Sequence, residues 1–236
     1  MPYAAGYFGR GDPPRKGLRF MAYRAVIFDL DGTLLDTLDD IAKAANGALS
    51  SMGFATHPRD AYKLFVGEGM VSLAMQALPE GARDEETVGK WIPLVKDAFR
   101  KSWPGKTRPY DGISELLDSL SSRGMKLAIL SNRPDDLTRM MAETMLSRWN
   151  FYPIAGAKDG NPSKPDPTVA LRIAGELRMR PADCLFLGDS NVDMQASAAA
   201  GMFPVGALWG FRTREELLAH GAKKLVSHPV ELLEVL

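Results

Sequence analysis

The sequence has a single cysteine among its 236 residues and no excess of either charge. Cys184 cannot form an internal disulfide, which argues against a small disulfide-stapled secreted domain and fits a reducing compartment, so we expect a cytoplasmic protein. Basic and acidic residues number 29 each, so the net charge is zero. This balance gives no overall electrostatic reason to expect nucleic acid or an anionic membrane as a partner.

Long apolar runs are also missing. No stretch approaches the roughly 18 consecutive apolar residues that a membrane-spanning helix requires, and glycines and prolines interrupt the first twenty residues, so we expect no membrane span or signal peptide. Residues 1–20 carry four basic side chains and one acidic one. They could be a basic arm for a partner, but we favour a non-catalytic extension because Met21 stands just before the first apolar run.

From Met21 onward, short β-rich apolar runs alternate with longer helical patterns. The predicted strands cover residues 25–28, 126–130, 184–187, 203–205 and 224–226. The predicted helices between and after them cover residues 112–123, 135–147, 167–178, 191–200, 213–219 and 229–235. This alternation is typical of an α/β fold with a Rossmann-like parallel sheet.

Nearly a hundred residues separate the first predicted strand from the second, far more than a crossover helix needs. Apolar residues recur at helical spacing in three parts of this gap, residues 38–52, 61–78 and 88–99. We therefore predict an inserted all-α cap domain at residues 36–107. The α/β core would then consist of residues 21–35 and 108–236.

Polar residues cluster just after the predicted strands, where ligands bind in open parallel sheets. They are Asp29, Asp31, Ser131, Asn132, Asp189 and Asp193, with Lys164 in a proline-rich loop. Four carboxylates at one sheet edge repel each other unless a cation joins them, and Mg²⁺ prefers such oxygen ligands. Each Asp alone could be a turn former or a helix cap, but the four together favour a metal site.

These residues carry a resemblance to a known family. The segment DLDGTLLDT at residues 29–37 resembles the first motif of the haloacid dehalogenase-like phosphatase superfamily. Ser131 resembles its second motif, Lys164 its third, and Gly188-Asp189-Ser190 with Asp193 its fourth. The order and approximate spacing match, and the resemblance extends over residues 21–236.

The resemblance implies a mechanism that these residue types allow. Asp29 would be the nucleophile that forms an aspartyl phosphate, and Asp31 the general acid and base. Mg²⁺ would bind the Asp29 carboxylate, the Asp31 backbone carbonyl and Asp189, with Asp193 in support. Ser131, Asn132 and Lys164 would hold the phosphoryl group. Because Asp31 can protonate an oxygen leaving group, the implied substrate is a phosphate ester or anhydride.

The cap position is similar to that of the subgroup with phosphoglycolate phosphatases, β-phosphoglucomutases and some pyrophosphatases. Phe65–Met70 and the segment from Gly201 to Leu217 resemble the phosphoglycolate phosphatases, so we expect a small phosphorylated acid, foremost 2-phosphoglycolate. Gly67 and Gly69 either offer backbone N–H groups to a substrate carboxylate or only end a helix. Glu68 between them is unfavourable for an anionic substrate.

Several alternatives stay open at this point. A phosphosugar phosphatase, a phosphomutase and an inorganic pyrophosphatase have the same superfamily motifs, and a non-catalytic interaction protein could reuse the fold. The protein could be a monomer or a homodimer. Basic side chains of the predicted cap could select the substrate or only face solvent; they are Arg59, Lys63, Lys90, Arg100, Lys101 and Lys106.

Overall fold

The structure, a computed structural model, describes residues 23–236, so the predicted extension at residues 1–20 lies outside the described part. The strands are β1 (Ala25–Phe28), β2 (Leu35–Asp36), β3 (Arg108–Pro109), β4 (Lys126–Pro134), β5 (Phe151–Ala157), β6 (Cys184–Gly188), β7 (Phe203–Ala207) and β8 (Lys224–Val226). Six of them form one sheet in the order β5–β4–β1–β6–β7–β8, with every neighbouring pair parallel. The predicted α/β class is confirmed.

Helices surround this sheet and fill the long gap after β1. They are α1 (Leu38–Ser51), α2 (Tyr62–Phe65), α3 (Met70–Ala77), α4 (Glu85–Ser102), α5 (Ile113–Ser122), α6 (Asp135–Met145), α7 (Thr168–Glu176), α8 (Asn191–Ala199) and α9 (Arg214–Ala219). Short 3-10 helices cover Arg59–Ala61, Glu80–Ala82, Pro181–Asp183 and Pro229–Glu234. Across residues 23–236, no helix combines the length and the apolar character that crossing a membrane requires.

Strand β1 lies at the centre of the sheet and is apolar on both faces. Val26 and Phe28 pack into one hydrophobic cluster, and Ala25 and Ile27 into a second cluster on the opposite face. All four side chains are fully buried. A strand covered on both sides reads as a continuous apolar run, which is why the sequence alone located it.

Three details differ from the sequence prediction. Strand β5 was not predicted, because Pro153 interrupts its pattern; it lies at an edge of the sheet, where a missing backbone N–H is tolerated. The helical pattern at residues 61–78 is divided into α2 and α3, with Gly67 and Gly69 at positive φ in the break. The gap also holds two short strands, β2 and β3, which pair antiparallel.

The chain leaves the sheet region and returns to it through this β2–β3 ribbon. Leu35 pairs with Pro109 and Asp36 with Arg108, so the two crossings lie side by side. Just beyond the ribbon, the buried Asp40 carboxylate accepts hydrogen bonds from the backbone N–H groups of Lys106 and Thr107 and from the Thr107 hydroxyl. Both ends of the helical segment are thus fastened to each other.

Candidate active site

The register of the sheet brings the functional residues together. Phe28 at the end of β1 pairs with Ile129 of β4 on one side and Leu187 of β6 on the other. Because parallel strands end at one edge, the polar residues that follow all three converge there. Carboxylate oxygens of Asp29, Asp189 and Asp193 lie within 4.8 Å of one another.

Lys164 lies inside this carboxylate cluster, although its loop is distant in sequence. Its ammonium group donates to Asp29 Oδ1 at 2.8 Å and to Asp193 Oδ1 at 2.7 Å. A third bond runs to the Leu130 carbonyl at 2.9 Å. The lysine side chain is only 1% exposed, so its charge interacts with these carboxylates with little screening by solvent.

Asp189 is held in a fixed orientation. Its two carboxylate oxygens accept from the Thr33 hydroxyl and from the backbone N–H of Phe211, both at 2.8 Å. Gly32 and Gly210 pack directly against it: a Cβ at either glycine would come within 2.3 Å of Asp189 side-chain atoms. The glycine of the DxDGT segment is therefore required for close approach of this carboxylate, and its φ of +82° adds a second reason.

Asp193 connects helix α8 to the site. Its Oδ2 atom accepts from both the backbone N–H and the hydroxyl of Ser190, while its Oδ1 atom accepts from Lys164. The carboxylate therefore caps the start of α8 and also anchors the lysine. Asp193 is fully buried, and its hydrogen bonds fix the positions of Lys164 and Ser190.

The cluster holds more negative than positive charge. Burial raises the pKa of Asp29 well above its usual value; Lys164 opposes this shift, and Asp193 and Asp189 add to it. Burial, reinforced by Asp193, raises the pKa of Asp189 to about 7. Burial alone would lower the pKa of Lys164, but Asp193 and Asp29 outweigh it and hold that pKa above its usual value.

These observations test whether a divalent cation suits the site. One lysine faces three buried carboxylates; burial is the main cause of the raised pKa values of Asp29 and Asp189, and the neighbouring carboxylates add to it. The ligand atoms are all carboxylate oxygens, which hard cations such as Mg²⁺ prefer. The residues present fit Mg²⁺.

The Asp31 side chain takes a different partner from the other carboxylates. Arg133 Nε donates to Asp31 Oδ2 and Arg133 Nη2 donates to Asp31 Oδ1, both at 2.8 Å. The two side chains are 8% and 9% exposed. This is a buried, two-pronged ion pair, which fixes the orientation of the carboxylate. Asp29 and Asp31 nevertheless line the same cavity.

Ser131 and Asn132 lie beside this pair in the second half of β4, which continues to Pro134, beyond the predicted end at residue 130. The Ser131 hydroxyl oxygen accepts from the backbone N–H of Arg133 at 3.2 Å. The Asn132 amide donates to the carbonyls of Lys164 and Gly67, and its oxygen accepts from the Lys164 backbone N–H. Asn132 thus joins the loop that carries Lys164 to the helical segment.

A cavity separates the sheet edge from the helical segment. It measures about 60 Å³, and both elements line it. The apolar residues of its wall are Ile41, Val66, Met70, Leu73, Val95, Phe99 and Leu137. Gly67 and Gly69 also line it, whereas Glu68 is exposed and accepts from Ser72. Gly67 follows α2 and Gly69 precedes α3, so the two glycines combine a position at helix ends with access to the cavity.

A family model described as haloacid dehalogenase-like hydrolase matches residues 26–207, which contain every predicted site residue. The chain belongs to this family. A haloacid dehalogenase-like family hydrolase of Streptococcus pneumoniae has the same fold, with a TM-score of 0.80, 21% identity, and coverage of 90% of this chain and 98% of that one. A solved structure from Lactobacillus delbrueckii subsp. bulgaricus superposes with a TM-score of 0.82 at 29% identity, covering 90% and 98% of the two chains.

Curated relatives indicate the subgroup of this family to which the chain belongs. The phosphoglycolate phosphatase of Nitrosospira multiformis is 34% identical over 184 residues, which cover 75% of this chain and 80% of the relative. That of Aquifex aeolicus is 30% identical over 188 residues, covering 80% and 86%. The chain is therefore a phosphoric monoester hydrolase of the phosphoglycolate phosphatase-like subgroup, and the predicted resemblance is confirmed.

Sequence reasoning missed several residues of the site in this hydrolase. Thr33 and Phe211 hold Asp189, and Ser190 holds Asp193. Thr33 and Ser190 stand inside the motif segments, so their positions were available as a signal. Arg133 follows Ser131 by two residues, but no local pattern indicates that it reaches Asp31, 102 residues away.

Proposed function

We propose that the protein is a Mg²⁺-dependent phosphatase that hydrolyses a small phosphate monoester, foremost 2-phosphoglycolate, through an aspartyl phosphate on Asp29. The observation that carries this proposal is the buried cluster of Asp29, Asp189, Asp193 and Lys164 at one edge of the sheet, of which Asp29 lines the cavity. The curated relatives named phosphoglycolate phosphatase support the choice of substrate.

The covalent steps follow from residue chemistry. A carboxylate oxygen of Asp29 attacks phosphorus; the bond between phosphorus and the ester oxygen breaks as Asp31 transfers a proton to that oxygen. A water molecule then attacks the phosphorus of the aspartyl phosphate, and Asp31 takes a proton from it. Inorganic phosphate leaves, and the Asp29 carboxylate is restored.

The other polar residues of the site would have two tasks, to hold Mg²⁺ and to contact the phosphoryl oxygens. Asp29 and Asp189 would hold Mg²⁺ together with the backbone carbonyl of Asp31, and Asp193 would support the site. When bound, Mg²⁺ supplies positive charge that offsets both the carboxylates and the phosphoryl oxygens. Lys164 and Ser131 would contact phosphoryl oxygens. Asn132 keeps Lys164 in place, since its amide binds both backbone polar groups of that lysine.

The helical segment at residues 36–107 would act as the cap domain. Its two crossings lie together in the β2–β3 ribbon, and it contributes much of the apolar cavity wall. A wall of this kind keeps water away from the phosphoryl group during transfer. The cavity, at about 60 Å³, is small, which suits a leaving group as small as glycolate.

The test is release of inorganic phosphate from a panel in the presence of Mg²⁺: 2-phosphoglycolate, sugar phosphates, nucleotides and pyrophosphate. The highest kcat/KM is expected for 2-phosphoglycolate. Preference for a sugar phosphate or for pyrophosphate would replace the substrate but keep the chemistry. Transfer to a bound sugar that requires a bisphosphate activator would indicate a mutase, and no phosphate release from any compound would overturn the enzymatic proposal.

A further inference from the structure

Arg133 is the more deeply buried of the two basic residues that line the described cavity. Its guanidinium group lies 4.4 Å from the centre of the Phe99 ring, so α4 covers one face of it. Its edge points at Asp31, and its side chain is only 8% exposed. Lys96 is the other cation that lines the described cavity, and it is only half-buried.

The ion pair with Asp31 shows which kind of group the Arg133 guanidinium can bind. Two parallel N–H groups meet the two oxygens of one carboxylate at 2.8 Å, an arrangement that specifically suits a planar anion. The Phe99 ring covers one face of the guanidinium, and apolar side chains line the same cavity. A second carboxylate entering the cavity would meet a binding fork that is already oriented.

The same contact restrains Asp31. Both of its oxygens accept from Arg133, so turning the carboxylate toward a leaving oxygen would break at least one of these two hydrogen bonds. A substrate with its own carboxylate can take over the guanidinium without leaving that charge unpaired in the cavity. A substrate without one offers no such exchange, and separating the pair would then leave a buried charge without a partner, which is costly.

We propose that Arg133 selects phosphate monoesters whose leaving group carries a carboxylate, by exchanging its ion pair with Asp31 for one with the substrate. This inference rests on the proposed phosphatase function and adds the residue that recognises the leaving group. Because Arg133 touches Asp31 directly, the selected carboxylate lies only one or two carbon atoms from the ester oxygen.

The experiment compares 2-phosphoglycolate with ethyl phosphate, which has the same length but no carboxylate. For the unaltered protein, kcat/KM should favour 2-phosphoglycolate by about 10- to 100-fold, the range of a charge-assisted hydrogen-bonded pair. In Arg133→Met, kcat/KM for 2-phosphoglycolate should fall by about that factor, whereas the value for ethyl phosphate should hold or rise, because no ion pair then restrains Asp31. Arg133→Lys should keep only a small part of the preference, since lysine cannot form the fork.

Arg148→Met is the matched control. Arg148 also pairs with an aspartate, Asp118, and lies 5.4 Å from the Trp149 ring centre, but it is 68% exposed and outside the cavity. The Arg148→Met variant should prefer 2-phosphoglycolate over ethyl phosphate by the same factor as the unaltered protein. Thermal unfolding of each variant separates loss of selection from loss of folded protein.

The outcomes separate this inference from the function on which it rests. Equal losses for both substrates in Arg133→Met would overturn it, because Arg133 would then serve the phosphoryl group or Asp31 alone. Loss of the preference in Lys96→Met but not in Arg133→Met would overturn it too, as would an unaltered protein with no preference for the carboxylate. If neither these esters nor any other phosphate compound were hydrolysed, the phosphatase proposal itself would fail.

Discussion

The two walls of the cavity differ in kind. The wall on the sheet side is mostly polar and carries buried charges held by hydrogen bonds, as the pair of Asp31 and Arg133 illustrates. The wall on the helical side is mostly apolar, and Phe99 and Leu73 contribute to it from α4 and α3. Under the proposed function, the sheet edge would carry the reaction, whereas the helical segment would shape the space for the leaving group. Substitutions on the two walls should therefore affect different kinetic constants.

The largest effect is expected on the charged wall, from Asp29→Asn. An amide cannot act as the nucleophile, so kcat should fall by at least about ten-thousandfold while the fold persists. Phosphate release and circular dichroism measure the two properties. A folded variant with comparable turnover would exclude the aspartyl phosphate.

Removal of the divalent ion tests the same wall without a mutation. Chelation by EDTA should stop phosphate release, and added Mg²⁺ should restore it, because Lys164 alone does not balance the three buried carboxylates. Mg²⁺ should also raise the midpoint of thermal unfolding, since it binds the folded site. Full turnover after exhaustive chelation would show that the reaction proceeds without the metal.

A smaller effect is expected on the apolar wall, from Phe99→Leu. The side chain remains apolar, but the ring beneath Arg133 is lost, a contact worth about 0.5–2 kcal/mol. We expect KM for 2-phosphoglycolate to rise by about 2- to 30-fold with kcat nearly unchanged. The matched variant Phe203→Leu removes a ring outside the cavity, next to Tyr23, and should leave KM as it is. A large fall in kcat for Phe99→Leu would contradict the division between the two walls.

The smallest effect on activity is expected from Asp40→Asn, at the fastening of the helical segment. Burial alone would raise the pKa of Asp40, but hydrogen bonds from Thr107 and Lys106 outweigh it and hold that pKa below its usual value. The variant should unfold about 1–3 kcal/mol more easily at pH 7, with kcat changed less than about twofold.

The stability difference between Asp40→Asn and the unaltered protein should depend on pH, and the lowered pKa of Asp40 sets the direction. A lowered pKa means that the carboxylate contributes its full stability above its unfolded pKa of about 4 and loses it as pH falls through the lower folded pKa. The gap between Asp40→Asn and the unaltered protein should therefore shrink below about pH 4. Denaturant unfolding at several pH values measures it, and a constant gap would contradict the assignment.

Elements could be predicted from the sequence where the pattern that indicates them lies within one short segment. Strand β1 is apolar throughout, and the acidic segment at residues 29–31 follows it directly, so both the sheet and its reactive edge could be predicted. Strand β5 was missed because its proline and glycine weaken the strand pattern, while parallel pairing with β4 stabilises it. The contact between Arg133 and Asp31 was missed because only the folded sheet brings two distant segments together.

The β2–β3 ribbon has a consequence for how this hydrolase can diversify. Because the chain departs and returns at paired residues, an inserted segment of another length can be accommodated without altering the six-stranded sheet. The reactive edge would remain intact while the new segment brings different side chains over it. A chimaera with the residues between the two strands replaced by those of a relative should keep the proposed dependence on Mg²⁺, while the range of accepted leaving groups changes.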